Sequence, residues 1–265
     1  MFPAHAADLD LTTVSLPAGD FAAARNRVSG ATRGVAVFIP GFTGSKEDFF
    51  PLQWELSRLG WAVWSYSQRG QPHSPHPDGQ DAYQLTDFVD DAAAFLSWVR
   101  QTEQADTVHL LGHSFGGVIA HNAALATRME DISSLTLLCS GPRGWPDRFE
   151  ELAAGIEIST APQDTSALTG REAFAARRFQ ESSKESLFAI AKILSSPRDV
   201  ITELAQLAPR TLVAHGESDD AWPIEWQREM ASRLGAHYAV IPGAGHLPNE
   251  DVPALTAALL NWFWS

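Results

Sequence analysis

The chain has 265 residues, of which 45% are hydrophobic, and a formal charge of −13. This length and composition allow one large α/β domain or two small ones with a substantial core. The acidic balance and the lack of any basic run argue against a nucleic acid or an anionic membrane as the partner.

The first residues and the apolar runs bear on localisation. Residues 1–8 lack the basic segment and the long apolar segment of a secretory signal. No apolar stretch approaches the roughly 20 residues that span a bilayer. We therefore expect a cytoplasmic protein that does not engage a membrane. The single cysteine, Cys139, ends the apolar run 135–138 and is expected to be buried rather than disulfide-bonded.

Short apolar runs alternate with longer helical patterns, which predicts a largely parallel sheet with helices on both faces. Strands are expected at 9–16, 20–28, 35–39, 61–66, 107–111, 133–138, 211–215 and 237–241. Helices are expected at 46–59, 81–101, 115–128, 223–234 and 252–264. Within the second helix, Asp90 and Asp91 are assigned to a face in contact with solvent.

The alternation stops between about residues 141 and 207, where no good strand is found. Four amphipathic stretches lie there instead, at 149–156, 171–180, 186–194 and 200–207. A helical insertion between two strands fits this pattern best. We therefore predict an α/β core made of residues 1–140 and 208–265, with a helical cap formed by residues 141–207.

The most informative motif lies between the strand at 107–111 and the helix that follows it, where Gly112-His113-Ser114-Phe115-Gly116 has the form Gly-x-Ser-x-Gly. A serine between a strand and a helix is forced into a strained turn that pushes its hydroxyl out of the sheet. The residues two before and two after it crowd each other, so glycine fits where a Cβ would clash. The start of the helix offers free N–H groups where an oxyanion would form.

A nucleophilic serine needs a base to take its proton and an acid to hold that base. In an open parallel sheet, such groups belong on loops at the carboxyl ends of strands. The strand at 211–215 runs into Gly216-Glu217-Ser218-Asp219-Asp220, and the strand at 237–241 runs toward Gly245-His246. His246 is thus the candidate base, and Asp219 and Asp220 are competing candidates for the acid.

These three motifs, in this order, resemble those of serine hydrolases of the α/β-hydrolase fold, and the likeness covers essentially the whole chain. The resemblance implies Ser114 as the nucleophile, His246 as the general base and then acid, and Asp219 as the residue that orients the imidazole. Asp219 is preferred to Asp220 because it matches the family's Gly-x-x-Asp offset. The strand at 133–138, after which many members carry the acid, is followed by no carboxylate.

The resemblance also implies an oxyanion hole built from the backbone N–H groups of Phe42 and Phe115. Two departures from the family pattern surround it. The chain has Pro40-Gly41 where His-Gly is common, so the hydrogen bonds of that histidine are missing. In the segment 67–74, an Asp and a Gly of the family's Asp-x-Arg-Gly-x-Gly-x-Ser run are replaced, while Arg69 and Gly70 remain.

The sequence therefore predicts a serine hydrolase that cleaves a carboxylic ester through an acyl-enzyme and needs no cofactor and no metal. The pair His73 and His76 is interpreted as part of a proline-stiffened, solvated loop, because no third ligand has suitable spacing. A thioesterase, a lactonase, a C–C bond hydrolase and a cofactor-free haloperoxidase-like enzyme remain open. A hydrolase-fold protein that only binds a ligand is the non-enzymatic alternative.

The substrate is expected to be a small apolar ester, because the predicted cap is rich in large apolar residues. The candidate pocket residues are Trp145, Phe174, Phe188 and Trp222. Fold alone specifies no substrate, and the sequence indicates neither the natural substrate nor the oligomeric state.

Overall fold

The computed structural model describes residues 5–160, 167–196 and 198–265. Its strands are β1 (Leu9–Leu16), β2 (Gly19–Asn26), β3 (Gly34–Ile39), β4 (Trp61–Tyr66), β5 (Val108–His113), β6 (Ile132–Leu138), β7 (Thr211–Gly216) and β8 (His237–Ile241). They form one sheet in the order β1-β2-β4-β3-β5-β6-β7-β8. The pairs β1/β2 and β2/β4 are antiparallel, and all the other pairs are parallel. The predicted α/β architecture with a mostly parallel sheet is confirmed.

The helices of the described residues follow the predicted order. They are α1 (Phe50–Arg58), α2 (Leu85–Glu103), α3 (Phe115–Ala126), α4 (Phe149–Thr160), α5 (Gly170–Glu181), α6 (Lys184–Leu194), α7 (Ile201–Ala205), α8 (Ile224–Leu234), α9 (Pro248–Asp251) and α10 (Pro253–Trp264). Short 3₁₀ turns lie at Ala6–Asp8, Lys46–Phe49 and Gln80–Ala82. None of these helices is long and apolar enough to cross a bilayer.

Prolines lie at the start of helices α1 and α10, and one of the two helices predicted there is divided. The segment predicted at 46–59 is a 3₁₀ turn followed by α1, whose second residue is Pro51. The segment predicted at 252–264 is α10, which begins at Pro253, and the short helix α9 ends just before it at Asp251. The residue before a proline is disfavoured in the helical region, and Val252, which precedes Pro253, has φ −140° and ψ 59°.

Strands β3 to β7 are almost entirely buried on both faces, as expected for the inner strands of a parallel sheet, whereas the edge strand β8 is half-buried or exposed over most of its length. On β3, Val35, Val37 and Ile39 enter the core that contains residues of α2, α3 and α8. Ala36 and Phe38 enter a second core with residues of α1 and α10. Strand alternation thus divides one apolar run between two layers of helices, which fixes the sheet between them.

The segment between β6 and β7 contains α4, α5, α6 and α7, which overlap the four stretches predicted to be helical. Helix α4 packs against α5 and α6 around a small core of Ile156, Leu187 and Ala191. The segment is hydrogen-bonded to the loop after β4, where the Ser183 N–H donates to the Gly70 carbonyl over 2.7 Å. Residues 161–166 and 197 of this segment lie outside the described residues.

The assignment of Asp91 to a solvated face is wrong, although Asp90 beside it is exposed. Asp91 is only 5% exposed, and its two carboxylate oxygens accept hydrogen bonds from Nε and Nη2 of Arg69 over 2.6 and 2.7 Å. Asp91 lies three residues after Phe88 and four before Phe95, so it shares their core-facing side of α2. This bidentate ion pair with Arg69 offsets the cost of burying the Asp91 carboxylate.

Candidate active site

Ser114 is the single residue between the last residue of β5 and the first residue of α3. Its backbone has φ 54° and ψ −120°, in the positive-φ region that residues with a side chain rarely adopt. A backbone of this kind costs about 1–3 kcal/mol and is retained where the surrounding structure enforces it. The strained turn predicted for Ser114 is therefore present.

The glycines around Ser114 are required by close backbone contacts. A Cβ added to Gly112 would lie 2.1 Å from the carbonyl oxygen of Gly116, as the crowding argument predicts. The constraint on Gly116 comes from a different neighbour, since a Cβ there would lie 2.2 Å from the carbonyl oxygen of Ile39 on β3. The turn is thus clamped between its own helix and the adjacent strand.

The loops after β7 and β8 bring an imidazole and a carboxylate together. Nδ1 of His246 lies 2.9 Å from Oδ1 of Asp219, which also accepts the Ala221 N–H over 3.1 Å. Oδ2 of Asp219 accepts from Nε2 of Gln227 over 2.9 Å. Burial opposes ionisation of Asp219, but His246, Gln227 and Ala221 together hold its pKa below the usual value. The competing Asp220 is exposed.

The loop that carries His246 is held by the residue before the serine. Nε2 of His113 lies 2.7 Å from the backbone carbonyl oxygen of His246, and the two rings are 4.9 Å apart. Burial, together with the neighbouring His246, lowers the pKa of His113 to about 3. The neutral ring therefore donates through Nε2–H, and its buried Nδ1 finds no hydrogen-bond partner among the residues that the structure describes.

Ser114 and His246 line one cavity of about 350 Å³. The Ser114 hydroxyl makes no hydrogen bond to any side chain or backbone group of the described residues. Hydrogen bonds of catalytic groups are often long in ligand-free structures and tighten when substrate binds. What the fold supplies is therefore a serine and an imidazole that face the same space.

The two predicted oxyanion donors belong to segments that adjoin Ser114. Phe115 begins α3, so its N–H has no partner within the helix. Phe42 follows Gly41, and a Cβ added to Gly41 would lie 3.2 Å from Cβ of Ser114. The loop that carries the Phe42 N–H therefore packs directly against the serine. Among the described residues, neither N–H has a backbone acceptor outside helices and strands.

The cavity wall is part apolar and part charged. Its large apolar residues are Phe42, Trp145, Leu152, Leu194, Trp222 and Leu247. Its charged residues, which the sequence analysis did not identify, are Asp48, Arg148, Arg178 and Glu250. Two of these four, Arg148 and Arg178, belong to the insertion, so the side of the insertion that faces the cavity is not wholly apolar.

The charged residues pair across the boundary between the insertion and the core. Arg178 on α5 forms an ion pair with Asp48, and Arg171 on the same helix pairs with Glu250 on α9. Burial raises the pKa of Asp48. Burial and then the charge of Asp48 raise the pKa of Glu250 to about 7. Two ion pairs thus join the helical insertion to the loops beside the serine.

Comparison with known proteins identifies the family. A family model described as the alpha/beta hydrolase family matches residues 36–259. The chain belongs to the α/β-hydrolase family. No curated protein shows significant sequence similarity to this hydrolase.

Solved structures share the fold of this hydrolase over almost their whole length. An enol-lactonase from Burkholderia xenovorans is 19% identical with a TM-score of 0.76, and the match covers 96% of this chain and 99% of that one. A thermophilic esterase from Thermogutta terrifontis is 20% identical with a TM-score of 0.74, over 96% and 98%. A bromoperoxidase from Bacillus anthracis is 18% identical with a TM-score of 0.74, over 96% and 99%. At these identities the likeness shows the fold alone.

Where the hydrolase departs from the family pattern, two glutamines hold the loop before Phe42. Nε2 of Gln68 donates to the carbonyl of Pro40, and Nε2 of Gln71 donates to the carbonyl of Gly41 over 2.9 Å. Both glutamines are buried, with exposures of 1% and 3%. These hydrogen bonds hold the loop in place of those that a histidine at position 40 would make. No motif in the sequence pointed to either glutamine.

Of the four predicted pocket residues of the hydrolase, two line the cavity and two lie elsewhere. Trp145 and Trp222 line the cavity, and Trp222 is buried in the loop after β7. In the described part of the chain, Phe174 and Phe188 are not in the cavity wall. Phe188 packs against the core of the insertion, and the Phe174 ring lies 5.3 Å from the guanidinium carbon of Arg178.

One group of metal-capable side chains occurs among the described residues, formed by His113, Cys139 and His246 with ligand atoms within 4.8 Å of one another. Cys139 is buried, as predicted, and burial raises the pKa of its thiol well above the usual value. His113 is engaged through Nε2 with the carbonyl of His246, and His246 is engaged with Asp219. Cys139 is thus part of the core, and the two histidines are engaged in hydrogen bonds that position the loop of His246.

Proposed function

We propose that this hydrolase is a serine esterase that cleaves a carboxylic ester through a covalent acyl-enzyme. One observation carries the proposal. Ser114, in its strained turn, shares a cavity with His246, whose Nδ1 lies 2.9 Å from the buried carboxylate of Asp219. Nucleophile, base and orienting acid on these three loops are what acyl transfer by serine needs.

In the first half of the reaction, the Ser114 oxygen attacks the ester carbonyl while its proton passes to Nε2 of His246. His246 donates a hydrogen bond from its Nδ1–H to Asp219, so Nε2 is the nitrogen that accepts the serine proton. The carbonyl oxygen becomes an oxyanion that the N–H groups of Phe42 and Phe115 stabilise. When the C–O bond breaks, the proton on Nε2 goes to the departing alkoxide, and an alcohol leaves.

In the second half, water attacks the acyl carbon of the ester formed on Ser114. Nε2 of His246 takes a proton from that water and then returns it to the Ser114 oxygen as the acyl–oxygen bond breaks. The products are a carboxylic acid and the original serine. All steps use groups of this chain, and the charge on the imidazolium is balanced by Asp219.

We infer that residues 141–207 serve as a cap over this site. The observation that supports the inference is the set of insertion residues in the cavity wall, namely Trp145, Arg148, Leu152, Arg178 and Leu194. A cap that contributes one side of the cavity excludes water and determines which substrates fit. The triad itself lies on core loops, so a change in the cap is expected to alter selectivity more than chemistry.

A fluorophosphonate probe tests the proposal directly. We expect stoichiometric labelling of the wild-type protein at Ser114, with loss of labelling in Ser114→Ala. The matched control is Ser232→Ala on the exposed side of α8, which should label like wild type. A folded wild-type protein that takes up no probe would instead favour a ligand-binding role and overturn the proposal.

Matched substrates test which kind of acyl bond the enzyme cleaves. We expect hydrolysis of p-nitrophenyl esters with an acyl-enzyme burst, because an activated alcohol leaves before water can attack the acyl group. The same purified enzyme is given an oxygen ester, the corresponding thioester and a lactone of equal carbon number. A preference for the thioester or the lactone, measured as kcat/KM, would replace the ester assignment while keeping Ser114 as the nucleophile.

A further inference from the structure

Arg178 is a charged residue of the cavity wall that the ester mechanism does not use. It projects from α5 of the insertion, and its side chain is 15% exposed. The long side chain could have reached solvent, as the adjacent Arg177 does with 61% of its side chain exposed. The structure instead places the Arg178 guanidinium beside the loop that carries Phe42.

The guanidinium of Arg178 is held from two directions. Nη1 forms an ion pair with Asp48, and the same nitrogen lies 3.5 Å from the Ser45 hydroxyl. The ring of Phe174 lies 5.3 Å from the guanidinium carbon, within the range of a cation–π contact. A group fixed in this way is preorganised, so little conformational freedom is lost when a ligand binds it.

Within the described part of the chain, the opposite edge of the guanidinium has no acceptor. Nε is buried and, like Nη2, donates to none of the described residues. An unsatisfied buried donor is destabilising, so its persistence needs a reason. Arg178 lines the cavity, so a ligand group that binds Nη2, with a small shift of the side chain to uncover Nε, would supply the missing acceptor.

The same edge binds carboxylates elsewhere in this molecule. Nε and Nη2 of Arg69 hold the two oxygens of Asp91 at 2.6 and 2.7 Å. Nε and Nη2 of Arg25 hold the two oxygens of Glu103 at 2.6 and 3.0 Å. The fork of two parallel N–H groups matches the spacing of a carboxylate, which is why arginine is favoured in such sites.

We propose that the Nε and Nη2 edge of Arg178 binds a carboxylate of the substrate, so that the hydrolase acts on esters that also carry a free carboxylate. The inference rests on the proposed function, since it names the substrate class of the same site. It replaces the wholly apolar substrate expected from the sequence with one that has an apolar body and a single anionic end.

The neighbouring charges favour a singly charged carboxylate over a phosphate. Asp48 already neutralises part of Arg178, and Glu250 lies in the same wall, paired with Arg171. The remaining cavity arginine, Arg148, is engaged with Glu151 and the backbone carbonyl of Ala221. A phosphate carries close to two negative charges, so the two carboxylates would repel it more strongly than they repel a carboxylate. Only one guanidinium edge would be available to bind it.

A pair of substrates that differ only in charge tests the proposal. The probes are mono-p-nitrophenyl glutarate, which ends in a carboxylate, and its methyl ester, which is neutral. We expect wild type to favour the anionic ester in kcat/KM, and Arg178→Gln to lower the ratio of the two values about tenfold or more. Arg177→Gln removes a charge from the same helix outside the cavity and should leave the ratio unchanged.

The ratio cancels general damage to the active site, which matters because Arg178→Gln leaves Asp48 without its partner. Asp48→Asn/Arg178→Gln removes both charges, and Arg178→Lys keeps the ion pair but loses the fork. Both should show the lowered ratio, the lysine variant less so. A ratio in Arg178→Gln within about twofold of wild type, or a wild type that prefers the neutral ester, would overturn the proposal.

A binding measurement separates this inference from the proposed function. Ser114→Ala is titrated by calorimetry with monomethyl glutarate and with dimethyl glutarate. Tighter binding of the carboxylate, by about tenfold or more, and its loss in Ser114→Ala/Arg178→Gln support the anion site even if no ester is hydrolysed. Equal binding of the two compounds contradicts the anion site even if neutral esters are hydrolysed.

Discussion

Nε2 of His113 lies 2.7 Å from the backbone carbonyl oxygen of His246, so the residue before the serine holds the loop that carries the candidate base. The bond joins the end of β5 to the loop after β8, which are not neighbours in the sheet. With the pKa of His113 lowered to about 3, the ring is neutral and keeps the same donor throughout the neutral range. His113 is therefore a positioning residue for His246.

Replacing His113 with leucine should impair turnover more than stability. Without the bond, the imidazole of His246 loses part of its orientation, and we expect kcat for p-nitrophenyl acetate to fall about tenfold or more. His113→Gln keeps an N–H donor and should recover part of that loss. Steady-state kinetics and thermal unfolding of both variants check this. A leucine variant with wild-type kcat would show that the contact only packs the loop.

The assignment of the acid is tested by a neighbouring pair of substitutions. Asp219→Asn should reduce kcat by up to about ten-thousandfold, because the amide no longer fixes the tautomer and charge of the imidazole. Asp220→Asn changes an exposed residue and should stay within about threefold of wild type. The measurement is kcat for one p-nitrophenyl ester at constant pH. A loss at Asp220 equal to that at Asp219 would move the acid to Asp220.

Much of the fold could be predicted from the sequence because the signals are local. Short, mainly apolar runs mark β3 to β8, and the motif around Ser114 marks one strand–helix junction. The loops with Asp219 and His246 follow strands whose carboxyl ends share one edge of the sheet. These loops do place the imidazole and the carboxylate in contact, as the motif order indicated.

What sequence reasoning missed depends on residues that are far apart in the chain. Arg178 and Asp48 are separated by 130 positions, and neither lies in a motif. The anchoring of the Phe42 loop by Gln68 and Gln71 depends on how two loops pack, which no periodicity reports. Asp91 is different, since its spacing from the apolar residues of α2 already placed it on the buried face.

The ion pair of Arg69 and Asp91 should be important for folding. Asp91→Ala leaves the buried Arg69 with the Ala82 carbonyl and the more distant carboxylate of Asp87, 3.6 Å away, and we expect a loss of about 3–5 kcal/mol in the free energy of unfolding. Asp90→Ala, at the exposed neighbouring position, should change that free energy by about 0.5 kcal/mol or less. Urea unfolding of the two variants at neutral pH gives the comparison, and similar values would mean that the pair is structurally neutral.

The turn at Ser114 should tolerate no side chain at Gly112. An alanine there would place its Cβ 2.1 Å from the carbonyl oxygen of Gly116, so strand or helix must shift, and we expect a loss of about 3 kcal/mol or more. Gly155→Ala is the control, because this exposed residue of α4 has open space around the added Cβ. That variant should gain about 0.5–1 kcal/mol. Chemical unfolding measures both, and a stable Gly112→Ala would contradict the clamped turn.

Glu250 should make the stability of the protein depend on pH near neutrality. Its pKa is about 7 in the folded protein, against 4.5 as the ordinary value, because of burial and then the charge of Asp48. The folded state thus binds the proton more tightly than the unfolded state. The associated stabilisation is fully present below about pH 4.5 and is lost as the pH rises through about 7.

Removing this carboxylate should therefore stabilise the protein at alkaline pH. A change in pKa of this size corresponds to on the order of 3 kcal/mol, and we expect Glu250→Gln to exceed wild type by up to that amount near pH 8. The two proteins should converge near pH 4.5, where the protonated acid resembles the amide. Urea unfolding across this pH range provides the measurement. Glu157→Gln, at an exposed position of α4, is a control that should follow wild type. Parallel curves for Glu250→Gln and wild type would show that ionised Glu250 is fully compensated by Arg171.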